Sequence, residues 1–292
     1  MQRLIVSLIS LAMTLGGFAA RAAGDTKAEQ LLAQARAALG GEKNMSAVQG
    51  LTAAGTFQRE MGDRQLNGEI TIDLLLPDKM LRTESMSPMG DATIEMSQGV
   101  NGDQVLRRSR TIGGGPGLVV RMAPPPSGPD AEAQALRNQR ADMARFALAF
   151  LLTSPPAMPL EYTYGGEAEA EDGKADVVDA TGPGSFAARM FFDKKTHRPL
   201  MLSYRGAAPR MVVQAQRGDG PPPAAAAAPG LMPPQIADIQ LFLDDYRTVD
   251  GILLPHHFSR SIDGKPAEEM TFKTIKINPA FKPDAFTTKQ GR

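Results

Sequence analysis

The sequence predicts an α+β fold made mostly of antiparallel strands, and three observations carry that reading. Apolar and polar residues alternate with period two along several stretches, as they do in half-buried strands. Three strand pairs meet at Asn101-Gly102, Asp250-Gly251 and Asp263-Gly264, dipeptides that accept the positive φ of a tight hairpin turn. Two other stretches repeat their apolar residues at helical spacing instead.

Taken in order, the chain opens with "MQR" and the apolar run "LIVSLISLAMTLGGFAA", closed by Ala20-Arg21-Ala22. A positive start, an apolar stretch and an A-x-A site predict an export signal over residues 1–22, cleaved after Ala22. An uncleaved anchor is the alternative, but the run is short for a spanning helix. No cysteine follows it to accept a lipid. The expected product is a soluble, periplasmic chain. Losing Arg3 and Arg21 from 32 basic residues leaves it slightly acidic against 32 Asp and Glu.

The first helix is expected next. Thr26-Lys27-Ala28-Glu29 has the form of a capping box, Ala28, Leu31, Leu32, Ala35 and Leu39 share one face, and Gly40-Gly41 stops the helix. Ile70, Ile72, Leu74 and Leu76 then alternate with Glu69, Thr71, Asp73 and Leu75. Pro77-Asp78 turns this strand into "KMLRTESM". "ATIEMSQGV" and "DQVLRRSR" form the next hairpin. Residues 111–129, with "GGGPG" and "APPPSGP", read as a flexible insertion around one short strand, "LVVRM". Their glycines lack the spacing of a phosphate-binding loop.

A second helix is predicted over Ala131 to Thr153 with Asp130 as N-cap. Its latter half, "MARFALAFLL", is apolar nearly all round and therefore needs burial on several sides. Arg145 interrupts it and needs an anion or a route to water. Strands follow in "LEYTYGGEA", "KADVVDA", "FAARMFFDKKTHRPLMLSYR" and "RMVVQAQ". The proline-rich residues 217–234 read as an exposed, disordered insertion between strands, with an inter-domain linker as the alternative. A meander closes the chain: Ile236 to Thr248, Ile252 to Ile262, and Glu268 to Ile277.

The chemistry is constrained by what is missing. With Cys 0, disulfides, thiolate nucleophiles and cysteine zinc sites are excluded. A formal net charge of +0 gives no reason to expect a nucleic-acid partner. Sixteen methionines suit either gap-filling in a core or an interior that adapts to ligands of varied shape. His256 and His257 are adjacent on a strand, point to opposite faces and cannot chelate one ion together. His197 lies in a distant turn. No metal site or cofactor is expected. His256, on the apolar face, is either a hydrogen-bonded interior histidine or a polar contact within a ligand cavity. Asp244-Asp245 and Glu268-Glu269 each split between two faces and read as solvated pairs. No nucleophile elbow or zincin motif occurs, so no catalytic residue is assigned.

Three C-terminal segments, "FDKKTHRPLMLSYR", "DDYRTVDGILLP" and "INPAFKPDAF", resemble the periplasmic lipoprotein carrier (LolA-like) superfamily. "LLLPDKMLRTES" and "GVNGDQVL" resemble an earlier strand and hairpin of the same family. The motifs follow the family's order over most of the chain after residue 22. The resemblance implies an incomplete, or half, β-barrel wrapped over helices, forming a single domain over 23–292. It also implies an apolar cavity on the concave side. The implied function is that of an exported binding or carrier protein for a lipid, lipoprotein acyl chains or another hydrophobic ligand. No enzyme activity is expected. An envelope sensor or interaction module in a membrane-protein complex is the alternative. An envelope hydrolase using His256 with Asp244 or Asp245 is the remote third. If the alternating apolar face lines the cavity, its residues are Ile70, Ile72, Leu74, Leu241, Leu243, Leu254, His256, Phe258, Met270 and Phe272.

Overall fold

The computed structural model describes residues 26–61, 64–89, 92–113, 128–170, 173–208 and 235–287. The export signal, the short strand "LVVRM", most of the 111–129 insertion, "RMVVQAQ" and the 217–234 insertion lie outside the described residues.

Helix α1 covers 26–39 and is followed by the single turn α2 (Glu42–Ser46). Five strands come next: β1 (Gly50–Met61), β2 (Arg64–Leu75), β3 (Lys79–Met89), β4 (Ala92–Asn101) and β5 (Gln104–Ile112). Helix α3 (Pro129–Leu151) leads to seven more: β6 (Glu161–Ala170), β7 (Gly173–Gly182), β8 (Phe186–Asp193), β9 (Pro199–Ala207), β10 (Ile236–Val249), β11 (Ile252–Ile262) and β12 (Lys265–Ile277). All twelve form one sheet in the order β5-β4-β3-β2-β1-β12-β11-β10-β9-β8-β7-β6. Every pairing is antiparallel, as expected, and the sheet stays open between β5 and β6. The chain therefore runs out to one edge, crosses by α3 to the other edge, and returns to pair its last strand with its first.

The turns follow from local chemistry. Asp250 (φ 47°) and Gly251 (φ 82°) are both left-handed, as are Asp263 (φ 48°) and Gly264 (φ 74°). That is the I′ geometry whose twist matches the flanking strands. Gly55 marks a different need. It sits at a register shift of β1 against β12, where an added Cβ would lie 1.9 Å from the Thr271 carbonyl oxygen.

One face of the sheet packs on the helices. Ala28, Leu32, Ala35 and Leu39 of α1 meet Met143, Ala147, Leu148, Phe150 and Leu151 of α3 and the inward residues of the strands in one apolar cluster. A small second cluster lies apart from it, where Leu81 and Leu106 pack beneath Phe286 of the C-terminal segment. Asn278 anchors that segment. Its side chain accepts from the Gln49 and Gly50 amides at 2.7 and 3.1 Å and donates to the Ala47 carbonyl at 3.0 Å.

Several local expectations need correction. Helix α3 starts at Pro129, with Gly128 (φ 111°) as N-cap instead of Asp130. Proline suits that first position because its missing N–H has no helical partner there anyway. Strand β12 begins at Lys265, three residues earlier than its alternation suggested. Strand β1 gave no clear signal. Its alanines and glycine weaken the alternation, and the shift at Gly55 breaks its period.

Candidate ligand-binding hollow

The ten residues expected to line a cavity lie on the helix-facing side of the sheet. Ile70, Ile72 and Leu74 come from β2, Leu241 and Leu243 from β10, Leu254, His256 and Phe258 from β11, and Met270 and Phe272 from β12. Nine are buried, and Leu241 is partly buried against the same cluster. Strand pairing brings them together: Leu243 stands opposite Phe258, and Phe258 opposite Met270.

The hollow they surround is not the open cavity implied by the family resemblance. Helix α3 fills it. The Phe150 ring stacks on Phe258 at 4.9 Å between centroids and meets Phe272 edge-on at 5.8 Å, while Phe258 and Phe272 lie 5.5 Å apart. The all-round apolar half of α3 thereby finds the burial its sequence demands. Few polar contacts hold it. The Arg36 side chain of α1 donates to the Leu152 carbonyl at 3.1 Å. Arg140 pairs with Asp103 and reaches the Gly102 carbonyl in the β4–β5 turn. Arg145 pairs with Asp142 at 2.9 Å and lies over the Tyr204 ring, 3.9 Å from its centroid.

One end of this apolar strip is charged. Arg59, Arg82, Glu84, Arg260 and Glu268 come from four different strands and occupy the helix-facing register. Each stands two residues along its strand from an apolar neighbour: Phe57, Met80, Met86, Phe258 and Met270 respectively. Glu268 Oε1 accepts from Arg59 Nε at 3.0 Å and from Arg82 Nη2 at 3.1 Å, and Glu268 Oε2 lies 2.8 Å from Arg260 Nη1. Glu84 Oε1 accepts from Arg82 Nε at 2.7 Å and Arg59 Nη2 at 2.9 Å. Glu268 is only 3% exposed. It is therefore not the solvated strand acid that adjacency to Glu269 suggested. Burial alone would raise its pKa, but Arg260, Arg82 and Arg59 outweigh that and hold it at about 2. Burial likewise works against ionised Glu84, and Arg82 and Arg59 hold it below its ordinary value. For Arg82, burial lowers the pKa, while Glu268, Glu84 and more distant Asp142 raise it overall.

This cluster was legible only in part. Arg145 stood out as a charge in an apolar helix. The other five needed a different signal: charged residues in phase with the buried positions of four strands.

The histidines behave as the strand geometry required. His256 is buried, and its Nδ1 lies 3.0 Å from the Leu254 carbonyl of its own strand. His257 points the other way and meets Glu269 at 2.8 Å. Asp244 stands opposite His257, not His256. Asp245, in a left-handed conformation, is bonded to Arg247 at 3.0 Å. Among the described residues no hydrogen bond joins His256 to Asp244 or Asp245, although Asp245 lies within electrostatic reach of it. Among the described residues, no group of three or more His, Asp or Glu side chains could hold a metal. No helix among them is long and apolar enough to cross a membrane.

No protein-family model and no curated protein matches the chain. Solved structures similar to it include a DUF1329 family protein from Desulfovibrio piger at 10% identity and TM-score 0.45. A LolA superfamily protein from Nitrosomonas europaea is similar at 8% identity and TM-score 0.44. A protein from Vibrio parahaemolyticus, assigned as an outer membrane lipoprotein-sorting domain, is similar at 9% identity and TM-score 0.45. Each comparison covers 89% of this chain and 97% of the other. Of the three, the Nitrosomonas europaea protein carries the LolA superfamily name.

Proposed function

We propose that this chain, exported by residues 1–22 and folded as one unit over 23–292, is a periplasmic binding or carrier protein for a ligand bearing an acyl chain. The ligand takes the place of α3 in the hollow. One observation carries the reading: a continuous apolar strip on the sheet is covered by a helix whose own buried half is equally apolar and whose polar tethers are few.

The energies make such an exchange feasible. Met143, Leu148, Phe150, Leu151 and Leu152 are each at most 1% exposed. At about 1.5–3 kcal/mol per buried side chain, their burial is worth roughly 7–15 kcal/mol. A sixteen-carbon acyl chain, at about 0.8 kcal/mol per methylene, gains on the order of 12 kcal/mol. Ligand and helix therefore compete on comparable terms. A lipid and the acyl chains of a lipoprotein satisfy the same requirement, and binding needs no catalytic group.

The test is extraction of the purified, natively expressed chain followed by lipid mass spectrometry, with displacement of an environment-sensitive apolar dye by added lipids. Co-purified lipid and saturable displacement support the proposal. A chain that carries no lipid and whose dye signal no lipid displaces would overturn it.

A further inference from the structure

We infer that Arg59, Arg82 and Arg260 form a receptor for the anionic head of an amphiphile whose chain lies in the hollow, an inference that rests on the function proposed above. Carboxylate and phosphate heads share the required chemistry.

The argument starts from charge. Three guanidiniums face two carboxylates, Glu84 and Glu268, so the sheet's share of the cluster carries one excess positive charge. Adding Asp142 and Arg145 of α3 leaves the excess unchanged. A network serving packing alone is favoured by equal numbers, since an uncompensated buried charge is costly. Hydrogen-bonding capacity is also left over: in the sheet's share of the cluster, the donor Arg260 Nε and the acceptor Glu268 Oε2 are buried without a hydrogen-bond partner among the described residues. Arginine presents a planar fork of donors suited to carboxylate and phosphate.

Position supplies the second half. The side chains of Arg59, Arg82 and Arg260 are 15–16% exposed, whereas that of Glu268 is 2% exposed. The three arginines thus keep more contact with solvent than the carboxylate they share. Along each strand they continue the apolar strip, so a head placed on them directs its chain toward Phe258, Met270 and Phe272. Asp142 of α3 is the nearest thing to such a head in this structure. Its field reaches Arg82 and Tyr204, and its side chain is half exposed. When α3 leaves, Asp142 and Arg145 leave together, the sheet keeps its excess positive charge, and the ligand's head meets it.

The experiment compares three probes on the full mature chain by competition for one apolar dye: palmitate, lysophosphatidylglycerol and uncharged monopalmitoylglycerol. We expect both anionic probes to bind at least about tenfold more tightly than the uncharged one, the scale of one added hydrogen bond to a charged group. The tighter of the two identifies the source of the head. Arg260→Gln should abolish most of that preference, read as the ratio of anionic to uncharged affinity in the same variant. Asp142→Asn lies on the half-exposed side of α3 and removes the internal competitor. It should strengthen palmitate binding relative to monopalmitoylglycerol, a gain that misfolding cannot imitate. Equal affinities for charged and uncharged probes overturn this inference and leave the proposed function standing. So does an Asp142→Asn chain with an unchanged ratio. Failure of all three probes to bind overturns both.

Discussion

Phe150→Ala distinguishes helix-for-ligand exchange from ordinary core packing. Phe150 is 1% exposed, and its ring touches those of Phe146, Phe258 and Phe272 at centroid distances of 4.4, 4.9 and 5.8 Å. Truncating a buried phenylalanine costs about 3–5 kcal/mol. Here that cost falls on the docking of α3, the element the ligand must displace. Weakening the docked state by about 3 kcal/mol raises the displaced population by roughly two orders of magnitude. The apparent Kd for an acyl ligand falls by up to the same factor, until the displaced form dominates. Thermal unfolding of the ligand-free variant should show a lower Tm, by about 2–4 °C per kcal/mol for a chain of this size. Titration with a fluorescent fatty acid should show tighter binding by the same protein. A variant that melts earlier and binds more weakly, or no differently, would refute the exchange.

Four other perturbations test the framework around the hollow. Glu268 has a folded pKa of about 2 against an ordinary 4.5, so its stabilising contribution is complete above about pH 4.5 and disappears as pH falls toward 2. Urea midpoints across that window should decline by an amount equivalent to about 3 kcal/mol, and a flat profile would contradict the assigned ion cluster. Glu268→Gln leaves Arg59, Arg82 and Arg260 short of a counter-charge and should cost about 3–5 kcal/mol at neutral pH, read from the same urea curves. Gly55→Ala drives a methyl group into the Thr271 carbonyl and should loosen the β1–β12 pairing. Hydrogen exchange should then rise first in those two strands. Asn278→Ala removes three side-chain bonds to the Ala47–Gly50 backbone at a left-handed position, and calorimetry should show a loss of about 1–3 kcal/mol.

Much of the sheet was readable because its turns announce themselves. Asp250-Gly251 and Asp263-Gly264 fixed the last three strands, and alternation in Ile70, Ile72 and Leu74 identified the buried face of β2. The apolar half of α3 was legible for a similar reason, since such a segment has no stable place at a surface. The pairing of β1 with β12 was not legible. It joins residues more than two hundred positions apart, and neither strand carries a mark of the other. The filled hollow was hidden for a related reason. Periodicity shows that Phe258 and Phe150 must be buried, but not that each buries the other. Glu268 was misplaced because its neighbour Glu269 invited a surface reading. Its phase with Met270 and Phe272 was the better guide.

The seam between β1 and β12 also bears on how the protein is made. The four strands that follow β1 can zip onto it as soon as they leave the ribosome, yet the other edge of β1 stays bare until residues 265–277 have been synthesised. A nascent chain in that condition offers chaperones an adhesive border, and a copy cut short before its final strand would fall to aggregation or proteolysis. The two halves of the sheet thus join only when the last of its strands is made.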